Sequence, residues 1–167
     1  MNPLLARRTR AYLLDCCAYA GVALATVPLG VAFQRLGWSG NRNLVLAASA
    51  IPPLVATVVA GVQEAGPHAA TPGKRRERLT VTDTAGRPLT LGRAWLRNAT
   101  KIGIPWQLGH VVTIGSAFGG FAQRDPLTLG AAAVCYPLMA AMVAAVARGS
   151  GRGLHDRVAG TLVRGRP

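Results

Sequence analysis

The chain has 167 residues, enough for one domain; half are hydrophobic and only 15% are charged. Its formal net charge of +13, from 19 basic and 6 acidic residues, suits either nucleic acid or an anionic membrane surface. The charges lie between long apolar runs and no basic groove interleaved with aromatics is visible, so nucleic acid is excluded as a partner.

The N-terminal tail carries Arg7, Arg8 and Arg10, followed by an apolar run over residues 11–33. Ala23-Leu24-Ala25 resembles a signal-peptide cleavage site, but Asp15 lies early in the run and the run has full spanning length. Arg10 and Ala11 stand where a twin-arginine signal needs large apolar residues, so a retained helix is expected. Further runs cover 44–62, 102–121 and 127–147. A bilayer core needs about 20 helical residues, and a segment facing lipid must satisfy its own backbone, so these runs are predicted to be helices. Each contains proline: Pro28, Pro52-Pro53, Pro105 and Pro137, where a helix loses a hydrogen bond and kinks. Gly115-xxx-Gly119 and Ala140-xxx-Ala144 offer close helix approach. Cys16, Cys17 and Cys135 lie in apolar runs without CxxC spacing and are expected to be small buried hydrophobes.

Residues 63–101 form the one long polar connection. Leu79-Thr80-Val81-Thr82 alternates as a strand does, Asp83-Thr84-Ala85-Gly86-Arg87 reads as a turn, and Pro88-Leu89-Thr90-Leu91 reads as a second short strand of a hairpin. Thr90 is placed to cap a helix from Leu91 that carries Trp95, Arg93 and Arg97, an interfacial composition, and that runs on into the third span. Thr71-Pro72-Gly73-Lys74 is not a phosphate loop: His68 replaces the first glycine and Arg75 follows the lysine.

Sixteen of the nineteen basic residues fall in the N-terminal tail, the 63–101 loop and the C-terminal tail; Arg35, Arg42 and Arg124 fall elsewhere. Positively charged loops stay inside. The expected architecture is therefore an all-α transmembrane four-helix bundle in the cell membrane, with both termini and the basic loop cytoplasmic. The expected partners are the bilayer, anionic lipid headgroups at the cytoplasmic face, and a further copy or another membrane protein.

Three blocks carry a family resemblance. They are Arg8-Thr9-Arg10-Ala11-Tyr12-Leu13-Leu14-Asp15; Ala70-Thr71-Pro72-Gly73-Lys74 with Val81, Asp83, Gly86-Arg87-Pro88-Leu89, Arg93-Ala94 and Leu96-Arg97-Asn98; and His155-Asp156-Arg157 with Ala159-Gly160-Thr161. In this order they resemble the RDD family of bacterial multi-pass membrane proteins, named for an Arg and two Asp. Arg76-Glu77-Arg78 departs from a usually more apolar stretch, and Leu162-Val163 gives a short apolar ending. The resemblance implies a single membrane domain over residues 1–167 and little chemistry; some members are associated with sodium/proton antiport.

A charged Asp at the bilayer centre costs about 2.5–3.5 kcal/mol, so Asp15 needs a partner. Arg8 lies seven residues earlier on the same face, and Tyr12, Tyr19 and Thr26 continue that stripe. A network on the cytoplasmic side is expected, with Asp15 and Asp156 shared among Arg8, Arg97 and Arg157, and with Lys74 and Arg93 nearby. It is either a structural clasp or an ion site. Gln107, His110 and Thr113 form a second, intramembrane polar candidate. No metal spacing, cofactor motif or catalytic arrangement is readable, and no enzyme is expected. Two functions stay open: participation in ion (sodium/proton) or solute transport, and a non-transporting scaffold or accessory subunit with a basic cytoplasmic surface.

Overall fold

The structure is a computed structural model that describes residues 4–148 and 151–166. It is mostly helical. In chain order it has α1 (Leu5–Ala25), α2 (Val27–Arg35), α3 (Arg42–Ser49), α4 (Ile51–Ala65), α5 (Pro72–Arg76), β1 (Leu79–Asp83), α6 (Leu91–Asn98), α7 (Ile104–Ala117), α8 (Pro126–Ala147), α9 (Leu154–Val158) and β2 (Thr161–Gly165).

Proline sets most of the helix boundaries. Pro28 stands in the first turn of α2, and α1 stops just before it at Thr26, whose hydroxyl donates to the Ala23 carbonyl at 2.7 Å. Pro52 and Pro53 open α4, separating it from α3 at Ala50. Pro105 opens α7, and the preceding residues Ala99–Gly103 form a π-helical turn that joins α6 to α7. A proline lacks the N–H that the helix ladder needs, so the backbone adjusts one turn upstream. Pro137 alone sits inside a helix that continues through it, α8.

Three segments among the described residues are long and apolar enough to cross a bilayer: Leu5–Arg35, Arg42–Ala65 and Pro126–Ala147. The third expected run behaves differently. α7 has 14 residues, about 21 Å of helix, and gives way at Phe118 to turns in which Gly119 has φ +76°. Gly115 and Gly119 are therefore not two steps on one helix face. Gly115 instead faces α8, where a Cβ would come within 2.1 Å of the Thr128 hydroxyl oxygen. α7 and α8 pack there around Val112, Ala131 and Cys135. Of the other cysteines, Cys16 is half-buried and Cys17 is exposed, so only Cys135 matches the expected burial.

The 63–101 connection holds a second correction. β1 does pair antiparallel, but with β2 from the C-terminal tail, Leu79 opposite Gly165 and Asp83 opposite Thr161. Residues 88–91 supply no strand because the turn after β1 consumes the pairing groups: the Asp83 N–H donates to the Arg87 carbonyl at 2.9 Å, and Pro88 has no N–H to offer. The Asp83 carboxylate accepts from the N–H groups of Ala85 and Arg87, and Gly86 takes φ +84°, so the turn itself lies where the residues placed it. Val81, Leu89 and Ala94 form a small core under this ribbon with Ala65 and Val163.

Candidate functional site

The residues that bring charge into the interior converge where α1, α4, α5, α6 and α9 meet. Glu64, in the last turn of α4, is fully buried. Its carboxylate accepts from both sides of the cluster: Arg97 Nη1 lies 2.7 and 2.8 Å from its two oxygens, Asn98 Nδ2 2.8 Å from Oε2, and Lys74 Nζ 2.7 Å from Oε1. Arg97 turns its other edge to Asp156, donating to Oδ1 through Nε at 3.2 Å and Nη2 at 2.9 Å. A planar guanidinium carries donors along separate edges, so it can hold each of two carboxylates by two hydrogen bonds. Asp156 Oδ2 accepts from Arg8 Nη2 at 2.6 Å and from the Gly153 N–H at 2.9 Å, which caps the short α9. Arg8 also donates to the Gly151 carbonyl at 2.6 Å.

Asp15 terminates the other end. The Thr71 hydroxyl donates to its Oδ2 at 2.6 Å, the Gly73 N–H donates to Oδ1 at 2.8 Å, and Lys74 Nζ lies 3.8 Å from Oδ2. Glycine is required at 73 because α5 lies directly on α1: a Cβ there would sit 2.1 Å from the Ala11 carbonyl oxygen. Pro72 opens α5 just after Thr71, which fixes the hydroxyl against α1. The three carboxylates of Asp15, Glu64 and Asp156 thus face the three cations Arg8, Lys74 and Arg97, with all six groups at most slightly exposed.

The electrostatics follow from this pairing. Burial pushes the Asp156 carboxyl up, but the Arg97 and Arg8 cations outweigh it and hold it well below the usual carboxylate range. Burial works against the Arg97 cation, yet Glu64 and Asp156 raise it above its ordinary value. His155 is pushed well below neutrality by burial and then by Arg97, so its imidazole is neutral.

The expected sharing of Asp15 and Asp156 among Arg8, Arg97 and Arg157 is therefore corrected. Arg8 and Arg97 serve Asp156, while Asp15 is served by Thr71, Gly73 and Lys74. Arg157 is exposed and makes no side-chain hydrogen bond or ion pair among the described residues. Arg93 is half exposed and lies 3.8 Å from Asp83, at the edge of the loop. Glu64 is the group that sequence reasoning missed. The signal was present: it is the single acidic residue directly following the second apolar run, where an unpaired carboxylate would be expensive.

A second polar group lies between α3, α4 and α7. Trp106 Nε1 donates to His110 Nε2 at 3.0 Å, which makes that nitrogen the acceptor; His110 Nδ1 then carries the proton and donates to the Ser49 carbonyl at 2.7 Å. Gln107 Nε2 donates to Ser49 Oγ at 3.4 Å. Among the described residues, Gln107 Oε1, Thr57 Oγ1 and Tyr19 Oη are buried without a hydrogen-bond partner. Thr113 does not join them; it is exposed on α7. At the opposite end of the helices, Arg42 pairs with Asp125 at 2.5 Å, and Asp125 caps α8 through the Thr128 N–H.

The family model described as RDD family matches residues 2–160. The chain belongs to the RDD family. No curated protein and no solved structure matches it. Family membership and three helices of membrane-spanning character together make this RDD protein a membrane protein. Within it, the three sequence blocks that carry the family resemblance are brought to one place, since Arg8 and Asp15, Thr71 to Lys74 with Arg97, and Asp156 all belong to the buried cluster.

Proposed function

We propose that this RDD protein crosses the membrane four times with both ends on the cytoplasmic side, and that it takes part in moving an ion or small solute. The π-helical turn and α7 together span 99–117, about 28 Å of helix, which supports α7 as the remaining crossing. The weight of basic residues in the tails and the 63–101 loop supports the orientation. On this reading α6, with Trp95 and Arg93 exposed on its surface, lies at the headgroup level.

The buried charge cluster is the base of the molecule and not its pathway. Every carboxylate in it is held by a cation, and such groups are poor proton carriers. The observation that carries the transport reading is the set of unpartnered oxygens between the helices: Gln107 Oε1, Thr57 Oγ1 and Tyr19 Oη. Unsatisfied polar groups at membrane depth are costly unless they meet water or a passing solute. Purified protein in liposomes is expected to dissipate a sodium or proton gradient, and Gln107→Leu together with Thr57→Val to slow it. Absence of flux from well-folded protein sinks this reading.

The alternative is a non-transporting, non-enzymatic scaffold. It is favoured by the complete pairing of the cluster, which locks tail and loop together and leaves Arg75, Arg76 and Arg78 exposed for anionic lipid or a partner. Stoichiometric co-purification of another membrane protein, without flux, supports it.

A further inference from the structure

α8 packs along α7, while α1 packs on α5 and α4. Between α1 and α8 this leaves a cleft of about 490 Å³, within the ~300–1,000 Å³ typical of small-ligand sites. One wall is the last turns of α8, with Met139, Met142 and Val143. That wall is continuous with apolar surface: Met139 is 52% and Val143 72% exposed.

The other end of the cleft is cationic. Arg8, Lys74 and Arg97 line it, but each is committed to a carboxylate. Lys101 is not. It lines the same cleft, its ammonium lies 4.8 Å from the centre of the Tyr12 ring, and no carboxylate oxygen among the described residues comes within ion-pair distance. His155 also lines the cleft, with its Nε2 3.6 Å from Asp156 Oδ2. An ammonium among cations, without a carboxylate of its own, calls for an anion that accepts its hydrogen bonds.

We propose that this cleft holds one anionic phospholipid of the leaflet on the basic-loop side, its phosphate on the Lys101 ammonium and an acyl chain along Met139, Met142 and Val143. A soluble anion would leave the apolar wall unfilled, and a zwitterionic lipid would bring its own cation to a cleft end already lined by Arg8, Lys74 and Arg97. The inference rests on the membrane reading, because the bilayer supplies the occupant. It goes further in assigning a single lipid, a headgroup class and the residues that select it.

The test is native mass spectrometry of the full chain extracted in neutral detergent, with phosphatidylglycerol or phosphatidylcholine added at equal concentration. One phosphatidylglycerol adduct is expected, retained about tenfold better than phosphatidylcholine, as the strength of a charge-assisted contact implies. Lys101→Gln should bring retention down to the phosphatidylcholine level. Val143→Trp, which fills the cleft, should reduce both. Leu54→Trp, on an α4 position 63% exposed, should change neither. Equal retention of the two lipids by the unmodified protein overturns the proposal without recourse to any variant. So does a dimer that Val143→Trp dissociates, because a second copy would then be the occupant. Recovery of the chain in the aqueous fraction without detergent would sink the membrane reading itself, a separate outcome from a missing adduct.

Discussion

Replacing Arg97 by methionine removes the guanidinium that joins two of the three buried carboxylates, Glu64 and Asp156. Its guanidinium makes four hydrogen bonds, two to Glu64 and two to Asp156, at 2.7 to 3.2 Å, and it is 1% exposed. Removing one partner of a buried ion pair costs about 3–5 kcal/mol, since the opposite charge is left in low dielectric. Here Glu64 keeps Lys74 and Asn98, and Asp156 keeps Arg8 and the Gly153 N–H. Neither carboxylate is stranded completely, so the loss should fall toward the lower end, about 3 kcal/mol. Arg97→Lys retains the charge but reaches only one carboxylate, and about half that loss is expected. Arg97→Met combined with Glu64→Gln should cost less than the sum of the two single changes, because the double variant no longer buries an underpaired charge. Thermal or denaturant unfolding in detergent, followed by tryptophan fluorescence, compares the native protein with the three single variants and the double variant. If Arg97→Met unfolds with the native protein, or if the two changes simply add, the cluster does not hold the fold together.

Gly73→Ala should destabilise by about 1–3 kcal/mol, because its Cβ meets backbone that cannot move away. Gly92→Ala, in α6 with open space around it, should instead be neutral or stabilise by up to ~1 kcal/mol, and paired melting curves separate the two. Ending the chain after Gly160 removes β2 and uncovers the edge of β1, so limited proteolysis is expected to cut between α5 and α6 faster than in the full chain. Asp156 gives a pH signature. Burial raises its carboxyl, but Arg97 and Arg8 hold it below the usual carboxylate range, so the folded chain binds that proton less tightly than the unfolded chain. The stability it contributes should be present above the ordinary carboxylate pKa and be lost as pH falls through its folded value. Asp156→Asn should remove that acid-side loss in a pH series of unfolding curves.

What the residues alone decide is local. The apolar runs, the proline positions at Pro28, Pro52-Pro53 and Pro105, the Thr90 cap and the Asp83–Arg87 turn all lie within a few residues of the structure they produce. Periodicity, a missing N–H and a short side chain near the backbone act at that range, so they are legible without a fold. Family membership is legible too, because its blocks are fixed in order along the chain. Pairing across the molecule is another matter. β1 could have taken residues 88–91 or the tail as its partner, and only the completed packing around Val81 and Val163 chose the tail. Arg8 could have served Asp15, one face of the same helix, but α5 arrives first with the Thr71 hydroxyl and the Gly73 N–H, leaving Arg8 to reach Asp156, 148 positions away. Glu64 became the centre of the cluster because Arg97 and Lys74 are buried beside it, and a buried cation must find its counter-charge wherever the fold has put one.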